Sequence, residues 1–279
     1  MSLSISVVVP TCNRDDLLAT CLGKLAPGAQ TLSSDHYEVV VSDDGNSPEK
    51  NESVASRFPW ARWTAGPCRG PAANRNHGAS QARGDWIVFT DDDCLPDTAW
   101  LEAFRLAAEK SRELQVLEGR TLATGERKSI DTEAPINTHG GFLWSCNFAI
   151  RRQLFRELGG FDEAFTAATM EDVDLALRIR KRGMTYKFCS DALVLHPWRP
   201  RKGLQHIHAY KRALDYFIQK HPEQVARFTL GPSLRIFLAL TFRLGREGLM
   251  SHRGRGVMRM AGLECYTFAM RVASAWAAK

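Results

Sequence analysis

In the N-terminal third of this chain, short β-branched runs alternate with segments of helical period, and two of the runs end in carboxylates. Ile5–Val9 stops at Pro10, and Leu17, Leu18, Cys21, Leu22 and Leu25 follow at the three-and-four spacing of an amphipathic helix. Tyr37–Val41 reads as a second strand, ending in Ser42-Asp43-Asp44-Gly45, and Trp86–Phe89 as another, ending in Asp91-Asp92-Asp93. Between them a helix is expected around Pro48–Phe58, a short strand at Ala61–Thr64, and a helix over Ala72–Ala82 behind the Gly70-Pro71 turn. This order predicts an α/β fold, a mainly parallel central sheet flanked by helices. Ligands of such sheets bind beyond the carboxyl ends of the strands, near a reversal of strand order. The acidic clusters fall on that edge.

Trp100, Leu101, Phe104, Ala107 and Ala108 mark a further amphipathic helix, followed by β segments at Leu114–Leu122 and Phe142–Ile150. A helix should begin near Glu171 and run to Gly183, and a last strand should precede His196-Pro197. Residues 1–110 and 111–200 are thus expected to be two halves of one domain, the second shaping the acceptor side. Residues 201–279 form a helical C-terminal extension, with Leu204, Ile207, Leu214, Phe217 and Ile218 on one helix face and Arg235, Arg243 and Arg246 on a narrow arc of another.

At 279 residues the chain can bury a substantial core, and 44% hydrophobic with 24% charged residues excludes disordered and fibrous classes. The seven cysteines form no CxxC pair and read as reduced thiols. Leu3–Pro10 reads as a strand rather than a signal segment, so a cytoplasmic location is expected. The apolar run Ile236–Leu240 is flanked by Arg235 and Arg243 and is too short to span a bilayer. From Pro197 to Lys279 there are 15 Lys/Arg against 4 Asp/Glu, so a net charge of +6 for the chain is +11 for the tail and −5 for the rest. Such asymmetry points to an anionic partner: lipid headgroups at the inner face of a membrane, a pyrophosphate-linked acceptor or nucleic acid. Packing or homodimer formation is the alternative use of the tail helices.

Three successive aspartates after an apolar strand repel one another unless a cation or solvent offsets them. A divalent ion answers this, since Mg²⁺ and Mn²⁺ take oxygen ligands and Mg²⁺ shares them with substrate phosphates. A solvated turn ahead of a helix would use the same residues. Asp44 can accept a hydrogen bond from a ring N–H, favouring uracil, thymine or guanine, or can simply close a β-turn. Asp172 is a candidate general base, although Thr169-Met170-Glu171-Asp172 also fits a capping box in which Thr169 or Glu171 caps the helix. His196 offers a metal or phosphate contact, or packs at a strand end. Arg75 either holds phosphate at the base of the cleft or is an ordinary exposed helical arginine.

Taken in order, these pieces resemble the family 2 glycosyltransferases of the GT-A fold. Val8-Val9-Pro10-Thr11-Cys12-Asn13-Arg14 looks like the opening strand and nucleotide loop, and Ser42-Asp43-Asp44-Gly45 like the second motif. Ala73-Asn74-Arg75-Asn76-His77-Gly78 resembles the Ala-Arg-Asn-x-Gly segment, with Asn74 where Ala is common. Phe89-Thr90-Asp91-Asp92-Asp93 is similar to the DxD motif, and Gly159-Gly160-Phe161-Asp162 with Glu171-Asp172 to the late Gly-Gly-Phe-Asp and Glu-Asp motifs. The resemblance covers about residues 4–197 and implies a Rossmann-like GT-A domain. It also implies sugar transfer from a nucleoside-diphosphate sugar, UDP-linked by expectation, to a glycan or lipid-linked acceptor, with inversion.

By the same resemblance, Pro10, Thr11, Asn13, Arg14, Asp44, Arg75, Asp91 and Asp92 surround the nucleotide. Asp93 and His196 hold Mn²⁺ or Mg²⁺, and Asp172 beside Glu171 is catalytic. No nucleic acid is then expected. A haloacid-dehalogenase-like phosphatase would want DxDxT, but position 95 is Leu. A non-catalytic nucleotide or lipid binder would have no use for Asp93 and Asp172.

Overall fold

Strand β1 (Ile5–Thr11) is buried along its whole length and sits between two parallel neighbours, β2 (Tyr37–Asp43) and β4 (Trp86–Phe89), with β3 (Arg62–Ala65) outside β2. The computed structural model describes residues 4–45, 54–111, 113–252 and 254–278. The chain divides into two compact units, residues 1–124 with 135–197, and residues 125–134 with 198–279.

The sheet of the first unit also contains β5 (Leu95–Pro96), β6 (Val116–Thr124), β8 (Phe148–Arg151) and β9 (Lys187–Pro197). Its order is β3-β2-β1-β4-β8-β6-β9-β5 among the described residues. The four strands from β3 to β4 are parallel, β8 is antiparallel to both β4 and β6, β9 runs parallel to β6, and β5 is antiparallel to β9. The expected α/β class holds, with the all-parallel part confined to the N-terminal half.

Alternation along β1 splits the core into two layers, because successive side chains of a strand point to opposite faces. Ile5, Val7 and Val9 pack with Leu18 and Leu22 of α1 (Asp15–Leu25). Val8 packs on the other face with Ala72 and Ala79 of α2 (Pro71–Ser80). Trp100 and Phe104 of α3 (Trp100–Lys110) complete the first layer, and Leu154 and Phe155 of α4 (Arg152–Glu157) with Leu175 and Ile179 of α5 (Glu171–Lys181) the second. Helices on both faces explain why the N-terminal strands read as unbroken apolar runs.

Two sequence expectations change here. Of the β segment expected at Phe142–Ile150, only Phe148–Arg151 is strand. Buried Glu118 accepts the backbone N–H groups of Gly141, Phe142 and Leu143 at 2.7–2.8 Å and the Asn137 amide at 2.7 Å. Those N–H groups are thereby withdrawn from any ladder. Of the helix expected around Pro48–Phe58, residues 54–57 are helical and residues 46–53 lie outside the described residues.

In the second unit β7 (Thr132–Glu133) and β10 (Arg199–Pro200) pair antiparallel, and the rest is helical: α6 (Leu204–Lys220), α7 (Leu230–Ser251) and α8 (Val257–Ala277). The last is a helix beyond the two expected. Phe237 packs against Phe268 at 5.2 Å, and Arg127–Glu247 and Arg259–Asp131 ion pairs tie residues 125–134 to the helices. Among the described residues no single helix is long and apolar enough to cross a membrane, while Pro222–Phe228 with Leu230–Ser251, bent by 46°, passes by length and composition as a pair.

Candidate active site at the strand ends

Register alone brings most of the acids together. Thr11 lies opposite Asp43 and Asp43 opposite Ala65, so β1, β2 and β3 end on one edge, and Asp91–Asp93 follow β4 at the same edge. On the far side of the sheet Leu95 pairs with Leu195 in antiparallel sense, which carries His196 to Asp93.

At the end of β1, Asn13 adopts a left-handed backbone conformation (φ 54°) that turns the chain into α1 and aims Arg14 at the aspartates. Arg14 reaches Asp92 at 2.5 Å and Asp93 at 3.0 Å, and the Thr11 hydroxyl donates to Asp92 at 2.7 Å. Pro10 is buried within β1 opposite Ser42. Asp44 is buried; its Oδ1 accepts the Cys68 N–H at 2.9 Å, while its neighbour Asp43 closes a tight turn on the Gly45 N–H. Gly66 is required beneath that contact, because a Cβ there would meet Asp44 Oδ1 at 2.1 Å.

Three consecutive residues of α2 brace three different segments. The Asn74 amide donates to the Thr11 carbonyl at 3.1 Å. Arg75 holds Asp91 at 2.7 Å and Glu171 at 3.1 Å. Asn76 donates to the Phe161 carbonyl and accepts the Phe161 N–H, both at 2.8 Å. The loop it grips needs Gly160, whose φ is +70° and whose Cβ would stand 2.5 Å from Asn76 Oδ1. Arg75 is therefore a buried double ion pair, 4% exposed, and the reading of an ordinary exposed helical arginine is corrected. The guanidinium bridges the end of β4 to the start of α5.

The capping box is corrected too. Met170 in left-handed conformation (φ 70°) occupies the N-cap of α5 with no side-chain capping bond, and Glu171 turns inward to Arg75. Asp172 stays partly exposed, one oxygen accepting the Val173 N–H at 2.7 Å.

Crowding acids in a buried edge shifts their titration. Burial pushes the Asp92 carboxyl up to about 7, against the pull of Arg14 and the Thr11 hydroxyl. Burial and the neighbouring Asp172 charge push Glu171 to about 7 against Arg75, and burial raises Asp172 as well. A carboxyl raised in the folded state contributes stability at acid pH that is lost as pH rises through its folded value. Each unit is worth about 1.4 kcal/mol, so the stability of wild type relative to Asp92→Asn should fall by on the order of 4 kcal/mol between about pH 4 and pH 7 and then level off. Denaturant unfolding of both proteins across that range checks it; a constant difference would show that Asp92 titrates normally.

Asp93 and His196 meet at this edge from strands on its two sides. His196 Nδ1 lies 2.8 Å from the Pro197 carbonyl, which can only accept, so in the neutral ring Nδ1 carries the hydrogen. The Nε2 lone pair then faces Asp93 Oδ1 at 3.2 Å, two acceptors in a buried place that call for a cation or proton between them. Cys94 Sγ completes a cluster whose ligand atoms lie within 4.8 Å of one another. Its thiol is held protonated, since burial and the Cys146 thiol raise it well above the usual range. Carboxylate and imidazole are both ligands of divalent ions.

Glu118 and Cys94 carry no role in the sequence analysis above. Glu118 did leave a signal, a lone acid inside the apolar run Val116-Leu117-Glu118, and buried acids occur only where they are paired or hydrogen-bonded.

An α/β sheet with acids at a parallel edge, closed by a mixed half carrying an acid-rich helix start, is the architecture of the GT-A class. The chain matches the model of glycosyl transferase family 2 over residues 6–159, and that of a glycosyltransferase-like family 2 over residues 136–212. It belongs to glycosyl transferase family 2. It is 27% identical over 267 residues to a pre-mycofactocin glycosyltransferase of Mycobacterium tuberculosis, covering 88% of this chain and 54% of the relative. It is 28% identical to the O-antigen biosynthesis protein RfbC of Myxococcus xanthus (83% and 23%) and 25% identical to a validoxylamine A glucosyltransferase of Streptomyces hygroscopicus subsp. limoneus (78% and 57%). The chain thus spans about half the length, or less, of these relatives.

In fold it is similar to the mannosyltransferase PcManGT from Pyrobaculum calidifontis, solved with GDP-Man and Mn²⁺ (TM-score 0.63, 17% identity, 100% of this chain and 89% of that one). It is also similar to GalNAc-T7, solved with UDP, GalNAc and Mn²⁺ (TM-score 0.58, 18% identity, 79% and 51%).

Proposed function

We propose that this chain transfers a sugar from a nucleoside-diphosphate sugar, UDP-linked, to an acceptor hydroxyl on a glycan or lipid-linked acceptor, with inversion at the transferred carbon. The observation that carries this reading is the buried Asp93–His196 pair at the strand edge of Asp44 and Asp92, to which the Glu171-Asp172 helix start is joined by the Arg75 ion pairs with Asp91 and Glu171. Asp93 and His196 would hold Mn²⁺ or Mg²⁺, which when bound supplies positive charge for the departing diphosphate. Asp44 accepts the ring N–H of uracil, and the Thr11–Arg14 segment with Asp92 lines the ribose and phosphate side. Arg75 acts from beneath, fixing Asp91 and Glu171. Asp172 takes the acceptor hydroxyl's proton as that oxygen forms the new glycosidic bond. The bond from the sugar to the diphosphate breaks, and the nucleoside diphosphate leaves. The name of one relative, a validoxylamine A glucosyltransferase, supports hexosyl transfer, and the Mn²⁺ in both structural neighbours supports a metal-assisted site.

Calorimetric titration of UDP into the chain tests this. Binding should require Mn²⁺ or Mg²⁺ and weaken about a hundredfold or more in Asp93→Ala, since even the outer-shell partners of metal ligands are worth about 10–100-fold. Metal-independent binding of equal strength in wild type and variant rules the reading out.

A further inference from the structure

The helical unit carries an apolar surface that its own packing leaves uncovered. Along α7, Leu230, Leu234, Leu238, Phe242 and Leu249 are 59%, 39%, 56%, 76% and 69% exposed. Steps of four, four, four and seven place all five on one stripe of the helix. Arg235, Arg243 and Arg246, also exposed, lie along one flank of that stripe. The side of α7 that adjoins the stripe away from the arginines is the packed one, with Ser233 and Gly248 buried and Phe237 against Phe268 of α8. Single exposed apolar residues need no explanation, but a continuous stripe of five marks a surface that meets something apolar.

Charge identifies that partner. Residues 197–279 carry 15 Lys/Arg against 4 Asp/Glu. A second copy of the chain would bring this basic unit against itself, whereas an anionic lipid surface takes up both the apolar stripe and the arginines. A spanning arrangement of the bent Pro222–Phe228 and Leu230–Ser251 pair would put Arg235 into hydrocarbon, where a cation is disfavoured. A helix with an apolar stripe and a cationic flank instead lies in the interface plane.

We infer that α7 docks in the plane of an anionic membrane surface, with Leu238 and Phe242 entering the acyl boundary and Arg235, Arg243 and Arg246 among the headgroups. The docking does not depend on the sugar-transfer reading.

Flotation of the full chain with vesicles tests it. The protein should float with phosphatidylglycerol–phosphatidylcholine vesicles and remain behind with pure phosphatidylcholine. Leu238→Ser with Phe242→Ser should reduce the partition coefficient by about tenfold or more. Each of Arg235→Gln, Arg243→Gln and Arg246→Gln should reduce it about fivefold, an effect that fades in high salt. All these positions are exposed, so the variants should keep wild-type helical circular dichroism. Asp93→Ala should float like wild type, so loss of the metal site and loss of docking are read separately. Equal flotation with neutral vesicles, unchanged flotation of the Leu238/Phe242 variant, or resistance to alkaline carbonate extraction would overturn the inference. So would failure to float combined with a concentration-dependent dimer that the same double variant abolishes.

Discussion

Arg75→Met is expected to destabilise the protein by about 3–5 kcal/mol at pH 8, the usual consequence of removing one partner from a buried ion pair. Its guanidinium is 4% exposed and pairs with Asp91 and with Glu171, which is itself 3% exposed. Methionine fills similar volume but leaves both carboxylates facing each other across an uncharged gap. In a domain of this size each kcal/mol moves the midpoint by about 2–4 °C, so a fall of roughly 6–20 °C should appear in thermal unfolding.

The sign of the pH dependence follows from Glu171, whose carboxyl already stands at about 7. Without Arg75 it rises further, so the variant recovers stability on acidification as Glu171 takes a proton, and the deficit grows toward alkaline pH. Adding Glu171→Gln to Arg75→Met should restore part of the loss, and a four-member cycle measures the coupling directly. A midpoint shift of less than about 2 °C in Arg75→Met would show that the pair does not carry the junction between β4 and α5.

Arg75 also marks where sequence reading stops. Strand ends and their acids were legible because β-branched runs, helical spacing and terminal carboxylates are local patterns, and Ile5–Val9, Tyr37–Val41 and Trp86–Phe89 all form strands close to those limits. Family motifs then placed Asp93 and His196 as metal candidates, and the structure sets them 3.2 Å apart although more than a hundred residues separate them. What stayed hidden depends on partners distant in sequence. Nothing near Arg75 says that Glu171 lies against it. Thr169 precedes Glu171-Asp172 at capping-box spacing, yet the left-handed turn at Met170 takes the N-cap and frees Glu171 for an inward ion pair. The Phe142–Ile150 segment has strand composition, but Glu118 collects its N–H groups first.

The proposed chemistry itself is tested most sharply at Asp172. Asp172→Asn should leave metal-dependent nucleotide binding unchanged and lower kcat by about 10²–10⁴-fold, the range of general-base assistance. Asparagine keeps the oxygen that accepts the Val173 N–H, so the start of α5 should survive while the proton acceptor is lost. Burial raises the Asp172 carboxyl despite the Val173 N–H and Arg75. The rising limb of the wild-type kcat profile should therefore lie above the ordinary carboxylate range, because the base works only when deprotonated, and the residual activity of the variant should lack that limb. Glu171→Gln provides the contrast: its carboxylate is engaged by Arg75 and turned away from solvent, so its loss should register first as a lower unfolding midpoint. If Asp172→Asn turns over at the wild-type rate while Glu171→Gln loses the pH-dependent limb, the proton passes to Glu171 and the roles given to these two neighbours must be exchanged.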